Sequence, residues 1–154
     1  MPLYLFRSGK NSHAYEYMGV HSTVRDGRAC TVCRVWAPNA QAVAITGEFC
    51  GWDPKRYPLE KIDDAVWEGY TEPLEPYTAY KLAVTDAAGK TVLKCDPYAF
   101  HAETRPGTAS RFYDISGYEW KDGAWFDYKR KKPHYNQPVN IYEMHAGSWR
   151  KYAD

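Results

Sequence analysis

The chain has 154 residues, a length that suits one domain or one domain with a piece of another, and 44% of them are hydrophobic, enough for a packed core. Its 20 basic and 19 acidic side chains are scattered and give a net charge of +1, without the basic patch that nucleic-acid binding requires. No apolar run approaches the roughly 20 residues of a membrane-spanning helix. Neither nucleic acid nor a membrane is therefore a predicted partner.

Short strand-like runs with turn signals between them follow one another along the first 115 residues, which is typical of an all-β sandwich or barrel. Asp26-Gly27 is a hairpin turn signal between the first two runs. The high aromatic content, 16% of the chain, suits both strands and flat binding surfaces. We predict strands over residues 20–25, 29–37, 42–46, 58–62, 66–71, 78–84, 91–94 and 111–113.

The four cysteines are few for a secreted, disulfide-stabilised protein of this size, and the N-terminus has no apolar stretch long enough for a signal peptide. A cytoplasmic location is the resulting expectation. Cys30 and Cys33 have CxxC spacing, but they lie in a predicted strand, where positions i and i+3 point to opposite faces. We therefore expect free thiols here rather than a metal or redox centre, and no cofactor is predicted.

The stretch GEFCGWDP, residues 47–54, combines a large apolar side chain with turn residues. Trp52 lies between Gly51 and Asp53-Pro54, and both glycine and Asp-Pro mark turns. A tryptophan at the tip of a loop indicates either a binding platform or a contact with another domain.

The character of the sequence changes after residue 116. Residues 117–137 are polar, aromatic and basic without a clear period, and they are interpreted as a linker or strap that includes the basic run 129–132. Residues 139–145 resemble a new buried strand. A strand that begins so close to the end of the chain leads us to expect the start of a second domain.

Seven sequence motifs occur in an order that resembles the N-terminal part of the glycogen branching enzymes. They are RVWAPNA (34–40), GEFCGWDP (47–54), VWE (66–68), YK (80–81), DPYAF (96–100), RPGTAS (105–110) and IYEMHAGSW (141–149). Each motif alone is weak, but together they cover nearly the whole chain.

The resemblance implies an immunoglobulin-like β-sandwich, a family-48 carbohydrate-binding module, over residues 19–115. Residues 1–18 would be an N-terminal segment and 116–138 a linker. Residues 139–154 would begin the truncated (β/α)8 barrel of family-13 glycoside hydrolases. The expected partners are α-glucans such as glycogen and the missing catalytic barrel. The complete protein would transfer α-1,4-glucan chains to a 6-hydroxyl and form α-1,6 branches.

The resemblance also implies a carbohydrate site made of Trp52, Lys81 and Leu93. An exposed indole covers the apolar face of a pyranose ring, and Lys81 matches a position at which the family donates hydrogen bonds to sugar hydroxyls. Strong glycogen-binding modules carry a second tryptophan just before Asp-Pro, where this chain has Leu93. Packing of Trp52 against the barrel remains the alternative. The run 105–110 is expected to form a turn that packs between domains.

No catalytic residue is predicted, because none of the carboxylates matches the Asp nucleophile, the Glu acid/base or the assisting Asp of family 13. Those groups sit on later barrel strands, so the chain is expected to be inactive alone. Two alternatives stay open. One is an independent glycogen-binding or targeting module. The other is the N-terminal part of a different family-13 enzyme, such as a debranching enzyme or a maltooligosyltrehalose trehalohydrolase.

Overall fold

The computed structural model describes residues 3–132 and 138–149. The chain divides into two compact units, Met1–Ser116 and Gly117–Asp154. The described part of the first unit contains a short helix and nine strands: α1 (Leu3–Arg7), β1 (Gly19–Arg25), β2 (Arg28–Trp36), β3 (Ala42–Gly47), β4 (Glu60–Lys61), β5 (Val66–Thr71), β6 (Ala79–Thr85), β7 (Thr91–Lys94), β8 (His101–Ala102) and β9 (Ser110–Arg111).

The strands form two antiparallel sheets. The first sheet has the order β1-β2-β5-β4, and the second has the order β3-β6-β9-β8. Strand β7 also pairs with β6, along the part of the β6 edge that β9 leaves uncovered. The predicted all-β sandwich is confirmed. Strands β5 and β7 have the predicted bounds, whereas β8 was not predicted and the 58–62 strand is reduced to Glu60–Lys61.

Local sequence chemistry explains the first hairpin. Asp26 and Gly27 have φ angles of 51° and 75°, the left-handed pair that a two-residue type I′ turn requires. Arg25 pairs directly with Arg28 on either side of this turn. The turn sets the register, so that Val20 lies opposite Cys33 with both side chains buried.

The core lies between the inner faces of the two sheets. Alternation along β2 places Thr31, Cys33 and Val35 inside. Trp67 and Tyr80 are also buried, whereas Trp36 is 55% exposed on the outer side of β2. The buried cluster comprises Val20, Cys33, Val35, Val43, Ile45, Leu59, Trp67, Leu74, Tyr80, Leu82 and Phe112.

Paired charges and aromatic rings cover the outer face of the first sheet. Arg34 donates from Nε to Glu68 Oε2 at 2.6 Å, and Tyr70 donates its hydroxyl to Glu68 Oε1 at 2.8 Å. The Arg34 guanidinium lies 4.1 Å from the Tyr17 ring centroid, and that of Arg25 lies 4.3 Å from the Tyr70 ring centroid. These contacts connect β1, β2 and β5 on the side away from the core.

Replacing Arg34 with methionine is expected to lower the free energy of unfolding by about 1–2 kcal/mol, because the Glu68 carboxylate, 18% exposed, loses its cation. The matched control is Arg25→Met, whose side chain is 60% exposed and whose loss should cost only about 0.5 kcal/mol. Urea unfolding monitored by tryptophan fluorescence measures the free energy of unfolding of both variants. Equal losses for the two variants would contradict a stabilising role for the Arg34–Glu68 ion pair.

A buried carboxylate joins the second sheet to the segment after β7. Asp96 accepts hydrogen bonds from the Tyr80 hydroxyl at 2.8 Å and from the Tyr98 N–H at 2.9 Å. Its own N–H donates to Ser110 Oγ at 2.8 Å. Burial raises the pKa of Asp96, and these hydrogen bonds to the carboxylate only partly oppose the rise.

The second unit contains the helix α2 (Gly123–Lys131), which sequence reasoning missed because its aromatic residues follow no apolar period. All of its residues except Gly123 and Ala124 are aromatic or charged, and none is buried. The basic run interpreted as part of a linker supplies the last turn of this helix, where positive charges favour the C-terminal end of the helix dipole.

Residues 138–145 adopt no regular structure, and the four-residue helix α3 (Ala146–Trp149) follows them. The predicted barrel strand therefore has no pairing partner among the described residues, and it stays a prediction. Residues 150–154 of the predicted start of the barrel lie outside the described part, as do residues 133–137 of the predicted linker. Across the described ranges, no helix has the length and apolar character needed to cross a bilayer.

Candidate functional site

The loop that carries Trp52 is anchored by its other side chains. The buried Cys50 thiol lies 3.3 Å from the Gly47 N–H, which donates to its sulfur. Glu48 accepts a hydrogen bond from the Ala79 N–H at 3.1 Å, and Phe49 packs against Tyr57 with ring centroids 5.4 Å apart. The loop therefore begins as a 3₁₀ turn fixed to the start of β6, rather than as a free segment.

Trp52 projects from this anchored turn and is 40% exposed. The backbone N–H of Trp52 donates to the Gly47 carbonyl at 2.9 Å. Gly51 and Trp52 both have left-handed backbones, with φ angles of 63° and 62°. Such a conformation is common for glycine and strained for a bulky side chain. The fold thus holds a partly exposed tryptophan in a strained backbone conformation, and strain of this kind is concentrated at functional sites.

Lys81 lies in the middle of β6, opposite Thr46 of β3. It alternates with the core residues Tyr80 and Leu82, so it belongs to the outer face of the second sheet. Its Nζ donates to Thr108 Oγ1 at 2.7 Å. The ammonium retains further donors, and together with the Thr108 hydroxyl it forms a polar point on this face.

Leu93 shares this outer face. It pairs directly with Ala83, which lies two residues beyond Lys81 on β6, and residues at i and i+2 of a strand point to the same side. The leucine is 47% exposed, because β7 has no strand beyond it in the second sheet and its neighbour Ala83 is small. Leu93 offers an apolar contact but no flat ring.

The register thus brings Lys81 and Leu93 to one face, and Trp52 follows β3 at the end where Gly47 pairs with Tyr80. No hydrogen bond, ion pair or cation–π contact given for the described residues joins the three. Thr108 is the site residue that sequence reasoning missed. It lies in the RPGTAS run, which was interpreted only as a turn between domains. Membership of that run is the sequence signal that could have identified Thr108 as a site residue.

The arrangement suits a neutral ligand with apolar faces and hydroxyl groups. The described residues contain no group of three or more His, Cys, Asp or Glu side chains placed to hold a metal ion. All four cysteines are free, and Cys33 is buried whereas Cys30 is partly exposed. Burial raises the pKa of the Cys33 thiol, and the nearby Asp96 adds to that rise, so Cys33 is a poor nucleophile.

A cavity of about 780 Å³ lies elsewhere, lined by residues of β2, of β6 and of the segment after β7. Phe6, Trp36 and Pro97 contribute to its walls, and the core residue Leu82 and the partly buried Val84 reach it. None of Trp52, Lys81 and Leu93 lines this cavity. The candidate site is therefore an open sheet face and not a cleft, which separates it from the enclosed pockets of most small-molecule sites.

Two antiparallel sheets, with Lys81 and Leu93 on one outer face and an exposed Trp52 in the loop after β3, are the architecture of a β-sandwich module. Residues 17–99 match the family model of carbohydrate-binding module 48, the isoamylase N-terminal domain. The chain belongs to this carbohydrate-binding module family.

The chain is also similar to curated full-length proteins. It is 41% identical, over 99% of its length, to the 1,4-alpha-glucan branching enzyme GlgB of Rubrobacter xylanophilus, and it spans 21% of that protein. It is 43% identical, over its full length, to the enzyme of the same name from Bacillus caldolyticus, and it spans 23% of that protein. The match thus covers less than a quarter of either relative.

A solved structure shares the fold. An amylase-type protein from Salmonella typhimurium superposes with a TM-score of 0.53 over 71% of this chain and 17% of its own, at 20% sequence identity. At this level of identity the likeness concerns the fold alone, and it agrees with the β-sandwich.

Proposed function

We propose that this chain is the non-catalytic N-terminal portion of a glycogen branching enzyme, and that its module binds α-glucan while a catalytic barrel forms α-1,6 branches. The observation that carries the proposal is the similarity to enzymes of that name at 41–43% identity over essentially the whole chain. In the proposed reaction, an α-1,4-glucan chain is cleaved and transferred to a 6-hydroxyl group.

The chemistry of the outer face supports glucan binding. The exposed indole of Trp52 would cover the apolar C–H face of a pyranose ring, and the ring hydroxyls would remain in water. The Lys81 ammonium and the Thr108 hydroxyl, 2.7 Å apart, would exchange hydrogen bonds with those hydroxyls. Leu93 would add an apolar contact without stacking, so the binding we expect is weaker than that of modules with two tryptophans.

Catalysis would come from elsewhere. A retaining glycosidase requires two carboxyl groups about 5–5.5 Å apart on either side of the scissile bond, and a barrel enzyme carries them at the ends of its strands. None of the carboxylates in this sequence matches the family-13 catalytic motifs. In the second unit, Val139, Ile141 and Trp149 are 70%, 85% and 61% exposed, which supports burial of this segment against a barrel.

Co-sedimentation with glycogen tests the proposal. We expect the 154-residue chain to bind, and Trp52→Ala to lower the affinity by at least about tenfold. The matched control is Trp36→Ala, which removes a 55% exposed tryptophan from the outer face of the opposite sheet and should leave binding unchanged. Thermal unfolding of each variant confirms that the fold is retained.

The outcomes separate the two roles of Trp52. Loss of binding in Trp52→Ala alone supports a glucan platform. Equal loss in both tryptophan variants would point to nonspecific adsorption. No binding by the parent chain would overturn the proposal for the module, and Trp52 would then be assigned to a contact with another domain.

We place the protein in the cytoplasm. All four cysteines are free, and Cys33 and Cys50 are buried as thiols. Unpaired cysteines are typical of reducing compartments. Immunoblotting of cell fractions with an antibody against this chain checks the location.

A further inference from the structure

Three aromatic rings from separate segments meet at the edge of the second sheet. The Tyr77 and His101 rings are 5.2 Å apart and perpendicular, and Tyr77 and Tyr113 are 5.3 Å apart. His101 and Tyr113 close the group at 6.2 Å. Tyr77 is 49% exposed and Tyr113 38%, and His101 is exposed as well. We call these three residues the aromatic edge.

The aromatic edge lies on the same outer face as Lys81. His101 pairs directly with Arg111, and Arg111 pairs directly with Ala79. Directly paired residues share a face, and Lys81 is two residues beyond Ala79. The side of the sheet that carries Lys81 and Leu93 therefore continues across β9 to β8.

The backbone of Tyr77 is strained, as is that of Trp52. Its φ angle is 67°, and among the described residues only Asp26, Trp52 and Tyr77 combine a positive φ with a side chain. Asp26 belongs to a hairpin turn, so both remaining cases are exposed aromatic residues. Two hydrogen bonds hold the backbone of Tyr77: its N–H donates to the Phe112 carbonyl at 2.7 Å, and its carbonyl accepts from Arg111 at 2.8 Å.

Strain of this kind persists only where the surrounding structure imposes it, and it is concentrated at binding sites. Asparagine or glycine would occupy the left-handed position more easily than tyrosine. Trp52 and Tyr77 are therefore two exposed aromatic residues that the fold holds in strained backbone conformations at the end of the second sheet.

The charges beside the aromatic edge are paired. Arg111 lies 3.7 Å from Glu103, and their side chains are 34% and 27% exposed. Such a pair adds no net charge, so it does not favour an anionic ligand. Its donors and acceptors can still bind neighbouring hydroxyl groups. Aromatic faces with a neutral but polar rim suit an uncharged, hydroxyl-rich ligand better than a purely apolar protein surface.

We propose that Tyr77, His101 and Tyr113 form a second α-glucan subsite, continuous with the face that carries Lys81. The inference rests on the proposed function, because that function supplies the ligand class. A glucan that reaches both Trp52 and the aromatic edge would bind more tightly than one that reaches either alone, since the second contact is made within the same complex.

The test compares four forms of the 154-residue chain for glycogen affinity: the parent, Tyr77→Asn, Trp52→Ala and the double variant. Asparagine removes the ring and still tolerates the left-handed backbone, so the fold should be kept. We expect Tyr77→Asn to weaken binding roughly tenfold and the double variant to abolish the residual binding of Trp52→Ala. Tyr113→Ala should weaken binding in the same direction.

The matched control is Tyr4→Ala, which removes a 67% exposed tyrosine from α1 and should leave the affinity unchanged. If Tyr77→Asn and Tyr113→Ala bind like the parent while Trp52→Ala loses affinity, the second subsite is refuted and the proposed function stands. If the parent chain does not bind glycogen, the proposed function fails and the subsite with it, and the aromatic edge is then assigned to a protein contact.

Discussion

Replacing Gly47 with alanine is expected to lower the free energy of unfolding by about 3 kcal/mol. A Cβ at this position would lie 2.3 Å from the Ala79 carbonyl oxygen, 2.7 Å from the Phe49 ring and 3.0 Å from the Tyr80 Cα. Two of these atoms belong to the backbone of the paired strand β6, so they cannot move aside without disturbing the sheet. The φ angle of Gly47 is 175°, which any residue adopts, and the cost is therefore steric.

The matched control for Gly47→Ala is Gly51→Ala in the same loop. A Cβ on Gly51 meets nothing within 4 Å, but its φ of 63° disfavours alanine by about 1–2 kcal/mol. Urea unfolding of the two variants at equal protein concentration separates steric cost from conformational cost. A smaller loss for Gly47→Ala than for Gly51→Ala would show that β3 and β6 are not packed as closely as described.

Replacing Asp96 with alanine is expected to cost about 3 kcal/mol at neutral pH. The buried Tyr80 hydroxyl and the Tyr98 N–H would each lose an acceptor. Asp96→Asn keeps the size of the side chain and one carbonyl acceptor, so it should cost less than alanine. Thermal unfolding of both variants measures this order, and a smaller loss for alanine than for asparagine would contradict the hydrogen-bond network.

The difference in stability between the asparagine variant and the parent should also depend on pH, with a sign that follows from the burial of Asp96. Because burial raises the folded-state pKa of Asp96, its contribution to stability is fully present below the unfolded-state pKa and is lost as pH rises through the folded-state pKa. Asp96→Asn lacks this loss. As pH rises above the ordinary aspartate pKa of about 3.9, the stability of the variant relative to the parent should therefore improve. A difference that is constant with pH would contradict the raised pKa.

The sequence by itself determined the features that depend on near neighbours. Period-2 alternation predicted most strands, and the Asp26-Gly27 turn predicted the first hairpin, because both signals lie within a few residues of the structure they specify. The GEFCGWDP stretch predicted a turn with Trp52 at its tip, and a 3₁₀ turn does follow β3 there. The ordered motifs indicated the carbohydrate-binding module.

Only the tertiary structure decided which of these residues share a surface. Lys81 and Thr108 are 27 residues apart in sequence, and the Tyr80–Asp96 hydrogen bond joins residues 16 apart. The aromatic edge likewise combines three segments that no local pattern connects. Strand pairing and register set these contacts, and register arises from the packing of whole sheets rather than from the residues on either side of a position.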